Sequence, residues 1–321
     1  MGWERKPLCS HLRTIGSEDA FMKTAVTVKK PKKDWGLFLL ILPFVVYLIM
    51  FRYVPLFGWY IGFVNYKIGT PIFKCEFVFL DNFKKLFELS AFKRAMTNTL
   101  IYSTINYATS LLPAVFAILL NEIGNKTFKK TVQTLTTIPH FISWVIVYGL
   151  CYGLFSKTGP VNAVLGLFGS SQKLLTDKDA VYAFQTFLGL WKSIGWSAII
   201  YIAAISGIDQ ELYEAAAIDG AGYFKRAIHV TVPGIMPTMI VLLLLGISDF
   251  FSNGLDQKLV FANTVTQRKL TTIELYTYQQ GIGKYDYSYS TAVGITMSIV
   301  SIILLFTTNA IAKKVRGTSI V

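Results

Sequence analysis

Six apolar blocks alternate with short polar segments along this chain. They run over 35–51 (extended by 53–66 beyond Arg52), 97–120, 131–156, 180–208, 233–255 and 287–312. The second and sixth carry no Asp, Glu, Lys or Arg, and the third has only His140 as a titratable imidazole or charge. Lys192 breaks the fourth block, and Asp249 lies in the fifth. A helix crosses a bilayer core with about 20 apolar residues and satisfies its own backbone groups there. The pattern therefore predicts an all-α membrane protein with six transmembrane helices. Pro43 and Pro55 are compatible with a span, and Tyr53, Trp59 and Tyr60 suit the membrane–water boundary.

The polar segments set the orientation. Residues 1–34 carry eight basic side chains: Arg5, Lys6, Arg13, Lys23, Lys29, Lys30, Lys32 and Lys33. Lys126, Lys129 and Lys130 follow the second block, Lys225 and Arg226 the fourth, and Lys313, Lys314 and Arg316 the sixth. Basic loops stay on the cytoplasmic side. Both termini are thus expected inside, with 67–96, 157–179 and 256–286 outside. Lys93 and Arg94 are a small exception. Gly159-Pro160 and 169–171 read as outside turns. The expected organisation is a basic cytoplasmic tail over 1–34 and a six-span domain over 35–321.

Composition narrows the class. The chain is 53% hydrophobic with a mean hydropathy of +0.49, too apolar for a soluble domain. Its net charge of +13 is dispersed over loops and a tail, so it speaks for membrane orientation and lipid contact, and not for nucleic acid. Cys9, Cys75 and Cys151 share no short spacing, which argues against a disulfide framework or a metal site.

The most informative polar stretch is 211–237, ELYEAAAIDGAGYFKRAIHVTVPGIMP. Glu214, Ala215, Ala216 and Ala217 favour helix, Gly220 and Gly222 interrupt it, and a second short helical run is expected over 223–229. Pro233 suits the first turn of the next helix. Small side chains at Ala215, Ala216, Ala217 and Ala221 allow another backbone to come close.

This stretch resembles the Glu-Ala-Ala loop of binding-protein-dependent ABC importer permeases. That pattern reads Glu-Ala-Ala, three residues, Gly, nine residues, Ile, one residue, Leu-Pro. Glu214, Ala215, Ala216, Gly220, Val230, Val232 and Pro233 stand at those positions, with Val replacing Ile and Leu. Asp219-Gly220-Ala221 is similar to the sugar-importer version. The 77–87 run followed by Asn98-Thr99-Leu100, the PHFISWV and WKSIGW runs, and LYEAAAIDGAG resemble the branch serving complex oligosaccharides and polysaccharide fragments. The resemblance implies a type I ABC importer permease (MetI-like) fold with cytoplasmic coupling helices. Its coupling loop would cover 209–233, with Glu214, Ala215, Ala216, Asp219, Gly220, Ala221 and Pro233 meeting an ATPase. It further implies a second homologous permease, two ATP-binding subunits and an extracytoplasmic solute-binding protein, in a multi-pass cell-membrane complex working by alternating access.

No nucleotide or catalytic chemistry is visible in the chain itself. Gly124-Asn125-Lys126-Thr127 lacks the glycine spacing and Gly-Lys pair of a phosphate loop. His11, His140 and His229 are far apart, and no nucleophile–base grouping can be argued. The chain is expected to be no enzyme and to hold no cofactor, with ATP and magnesium on the partner ATPase. An ion-driven secondary transporter is the alternative; it would show two similar halves, and no internal repeat is visible.

Charges inside spans are costly and line paths or pair. Lys192 and Asp249 each lie about 16 residues, or roughly 24 Å, from a cytoplasmic helix end. They can reach one depth, either to contact solute or to bridge each other. Trp191 and Trp196 could stack on sugar rings, and Asn253, Asp256 and Gln257 could bond hydroxyls. Asn253 and Gly254 weaken the helix at 250–257, as in broken helices that line cavities. His140 reads as a core histidine.

Overall fold

The computed structural model describes residues 35–168 and 174–316. The expected basic tail over 1–34 and the turn at 169–171 lie outside the described residues. The chain divides into two compact units, 1–57 and 58–321.

In the first unit, helix α1 (Trp35–Leu48) runs through Pro43 and continues as a π-turn over Ile49–Tyr53. Its apolar side chains are exposed, the condition of a helix that meets lipid or another membrane chain.

The second unit begins inside a 3₁₀ segment, Val54–Phe63, and continues with a 3₁₀ turn, Ile72–Lys74, and one short α-helix before the next span. Helix α2 (Asp81–Glu88) is amphipathic, and Asn82 on its buried face donates to the carbonyls of Gly62 and Val64 at 3.0 and 3.3 Å. The second span is α3 (Ser90–Thr109) with α4 (Leu112–Asn121). It starts seven positions earlier than its apolar block suggested, because Lys93 and Arg94 fit the first helical turns. Pro113 explains the interruption between α3 and α4.

The third span is not one straight rod. Helix α5 (Lys126–Thr137) passes through a 3₁₀ turn, Ile138–Phe141, into α6 (Trp144–Phe155) and α7 (Pro160–Leu167), with a bend of 104°. Pro139 removes a backbone donor at the bend. The Ser143 hydroxyl accepts from the Ile146 amide and starts α6 as its N-cap. Helix α8 (Val181–Ser206) is unbroken across Gly189, Lys192 and Gly195.

Helix α9 (Gln210–Ile218) is the first helix of the polar loop over 209–233. The second helical run does not stand apart from the fifth span, as the sequence had suggested. Helix α10 (Tyr223–Arg226) passes through a π-turn (Ala227–Thr231) into α11 (Val232–Ser248). Arg226, Ala227, Thr231 and Val232 at the junctions keep right-handed helical angles, Val232 at φ −60° and ψ −49°. Pro233 does not break the rod, because its missing amide falls beside the π-turn. This span stops at Ser248, short of the expected 255. Short helices α12 (Leu255–Phe261), α13 (Gln267–Leu270) and α14 (Ile273–Tyr278) fill the next segment, before α15 (Tyr287–Arg316).

Five helices are long and apolar enough to cross a membrane, or six when the bent pair counts as one. Among the described residues there is no strand, only an isolated bridge between Val64 and Phe77. Polar staples tie the short helices to the spans. Asn98 on α3 donates to the carbonyls of Arg268 and Thr271, both at 2.9 Å, and accepts from the Tyr182 hydroxyl at 2.8 Å. Thr99 beside it accepts the Ile273 amide at 2.7 Å. Both are buried. Leaving such carbonyls unmatched in an apolar interior is costly, which accounts for two polar residues in an uncharged span.

Candidate functional site

Two features could carry function: the polar loop around α9, and a polar cavity among α3, α8 and α12.

The loop owes its shape to its ends. Asp209 caps α9 by accepting the Glu211 amide at 3.0 Å. At the other end Gly220 has φ +73°, while the Ala221 amide reaches the Ala216 carbonyl at 2.9 Å and the Gly220 amide the Ala217 carbonyl at 3.1 Å. That pair of bonds around a left-handed glycine is a Schellman stop. Tyr213 binds Thr231 through their hydroxyls at 3.0 Å, joining α9 to the root of the fifth span. Glu214, Ala215, Asp219 and Gly220 are exposed, and Ala216 and Ala221 are half-buried. Pro233 lies further on, in the first turn of α11. Leu212, Ile218, Tyr223 and Phe224 also stand exposed, Ile218 at 87%. A charged loop that displays four large apolar side chains has the character of a contact surface.

The cavity has a volume of about 510 Å³. Helix α3 presents Asn106 to it, α8 presents Gln185, Thr186, Ser193 and Trp196, and Ser252–Gly254 and Gln257–Lys258 close another side. The wall is braced. The Asn253 amide donates to Glu274 Oε2 at 2.9 Å, and Ser252 Oγ to Glu274 Oε1 at 2.9 Å. Asn253 Nδ2 donates to Ser103 Oγ at 3.1 Å, and Gln257 Nε2 to the Gln185 carbonyl at 2.8 Å. Gly254, at φ +75°, makes the turn into α12.

Of the residues expected along a solute path, Trp196, Asn253 and Gln257 share this cavity. Trp191, Lys192 and Asp256 do not line it, and Asp249 lines a separate cavity of about 740 Å³ with Trp59, Ser252 and Glu274. Lys192 and Asp249 form no ion pair. Lys192 Nζ instead donates to the His140 carbonyl and lies 5.6 Å from the Trp144 ring centre. The imidazole of His140 stacks on Trp196 at 4.6 Å. The two motif runs thus grip one another at the bend of the third span.

Sequence reasoning missed Asn106, Gln185, Thr186 and Lys258. Of these, Gln185 carried a usable signal. Small or polar residues recur along α8 at Gln185, Gly189, Ser193 and Ser197, four apart and so on one helical face. Lys258 carried none, since 256–286 reads as an outside loop. In the structure it is buried, and burial lowers its pKa from 10.5 to about 7.

Residues 109–317 match the family described as binding-protein-dependent transport system inner membrane component, and the chain belongs to that family. It is a membrane permease component of an ABC importer. Protein LplB of Bacillus subtilis (strain 168) is 38% identical over 286 residues, 88% of this chain and 90% of that relative. The polygalacturonan/rhamnogalacturonan transport system permease protein YteP, from the same organism, is 37% identical over 281 residues, 87% of this chain and 88% of its own length. Among solved structures, a chain of a bacterial alginate ABC transporter in complex with alginate pentasaccharide-bound periplasmic protein superposes with a TM-score of 0.82. It is 30% identical, covering 89% of this chain and 97% of that one.

Proposed function

We propose that this permease passes an oligosaccharide or polysaccharide fragment from an extracytoplasmic binding protein into the cytoplasm, paired with a second homologous permease and driven by two ATP-binding subunits. Both termini then face the cytoplasm. The observation that carries the reading is the loop around α9, rigidly capped, apolar at its surface and tied to the fifth span. An ATPase gripping α9 moves that span, because Tyr213–Thr231 and the uninterrupted α10–α11 rod leave no slack between them. Glu214, Ala215, Ala216, Asp219, Gly220 and Ala221 form the grip, and Pro233 lies where its motion enters the membrane.

The cargo assignment draws on the names of the relatives and on the cavity. Trp196 offers an aromatic face for a sugar ring, and Asn106, Ser193, Asn253 and Gln257 offer hydroxyl partners. Membership of an ABC importer family argues against the ion-driven alternative.

The test is reconstitution. Purified with its partners in liposomes, the complex should take up saccharide only when binding protein and ATP are both present. A cysteine at Ala215 should crosslink to the ATPase. ATP-independent uptake, or a crosslink to no ATPase, overturns the reading.

A further inference from the structure

Lys258 is the one charged residue lining the 510 Å³ cavity. It is 3% exposed, and its ammonium has no carboxylate partner among the described residues. Its contact is the ring of Tyr102, with Nζ 3.7 Å from the centroid. The acids on its own and the neighbouring helices are committed or point away. Both Glu274 oxygens hold the turn at Ser252 and Asn253, and Asp256 is exposed. Two more groups on the same wall are unmatched: Gln185 Oε1 and Thr186 Oγ1 are buried and have no hydrogen-bond partner.

A buried cation without an acid, on a cavity wall that also carries a lone acceptor and a lone hydroxyl, is an expensive arrangement for a purely structural wall. A ligand that brings one negative charge and several hydroxyls satisfies all three groups. Resting on the saccharide-import reading, we infer that Lys258 receives the carboxylate of an acidic sugar unit, with Gln185 and Thr186 taking its hydroxyls, so that this cavity selects uronate-containing over neutral saccharides. One ammonium matches one carboxylate; a phosphate monoester, with close to two negative charges at neutral pH, calls for more cations than this wall has. The Tyr102 face holds the ammonium when no anion is bound.

The test uses the complete importer in liposomes, with a galacturonate trisaccharide and its full methyl ester as probes. The two differ in charge but little in shape, and the binding protein is the same throughout, so changes in the ratio of their uptake report on the permease. Lys258→Met is expected to lower uptake of the acid about tenfold, the loss of one charge-assisted contact, and to leave the ester within about twofold. Lys258→Arg should keep most of the preference. Lys258→Gln gives the same comparison if the methionine variant does not assemble. An unchanged ratio in these variants overturns the assignment while leaving saccharide import intact. Uptake of neither probe by the unaltered importer, with no saccharide stimulating its ATPase, overturns the import reading itself.

Discussion

The imidazole of His140 lies flat on the indole of Trp196, with ring centres 4.6 Å apart and planes 3° from parallel. His140 stands in the bend between α5 and α6, and Trp196 on α8. Next to Trp196 on α8, Gly195 brings the chains closer still, for a Cβ there would sit 2.3 Å from the Thr136 carbonyl oxygen. No rotamer change removes a clash with backbone. Gly195→Ala should therefore lower the melting temperature of the solubilised complex, by the equivalent of about 1–3 kcal/mol for overpacking. Lys192→Met should be milder, near 1 kcal/mol, for the lost bond to the His140 carbonyl. Equal stability of both variants and the parent contradicts this packing.

Gly220 offers the opposite case. An added Cβ meets nothing within 4 Å, so the only penalty is its φ of +73°. A left-handed non-glycine residue costs roughly 1–2 kcal/mol, too little to remove the protein from the membrane but enough to reshape the end of α9. Gly220→Val and Glu214→Lys are expected to leave membrane levels near normal and to uncouple ATP hydrolysis from uptake. Normal uptake in both counts against α9 as the coupling helix.

Asn98 makes three hydrogen bonds from a buried position. Asn98→Leu leaves the Arg268 and Thr271 carbonyls without their donor, at roughly 1–3 kcal/mol each. The segment 268–273 should loosen first, and hydrogen exchange there should quicken before that of α8. Uniform exchange across both would refute the staple.

Burial holds the Lys258 pKa down to about 7, and the sign of the consequence follows. Between pH 7 and the ordinary value of 10.5 the unfolded chain binds a proton that the folded chain does not. Stability therefore rises with pH through that window and is flat below it. The affinity for an anionic saccharide runs the other way. It is full below pH 7, where Lys258 is charged, and falls above it until the bound complex also deprotonates. The side chain that faces its ammonium is Tyr102 on α3, and Lys258 has no ion pair among the described residues. Uptake of the acid against its methyl ester across pH 6–9 checks this; a flat ratio contradicts it.

Span count and the stop at Gly220 could be read from periodicity and from a glycine after an alanine run. The bend at Ile138–Phe141 could not, because its 26 neighbouring residues (131–156) are uniformly uncharged and Pro139 alone does not fix an angle. Nor could the fate of Lys192. Depth arithmetic placed it level with Asp249, but the partner it met was a carbonyl freed by that bend. The cavity was half legible: Asn253 and Gln257 stood out beside Gly254, whereas Lys258 was hidden in a loop whose burial depends on contacts far away in sequence.

The fifth span and the foot of the α9 loop are one continuous rod, Tyr223–Ser248, of 26 residues. At about 1.5 Å per residue it reaches some 39 Å, and the turn bearing Asn253 hangs from its far tip. A rod of that length is a lever, so a few degrees of rocking at its base become several ångströms of travel at the wall of the sugar-sized chamber. Pushing at one end and loosening a grip at the other are then a single movement.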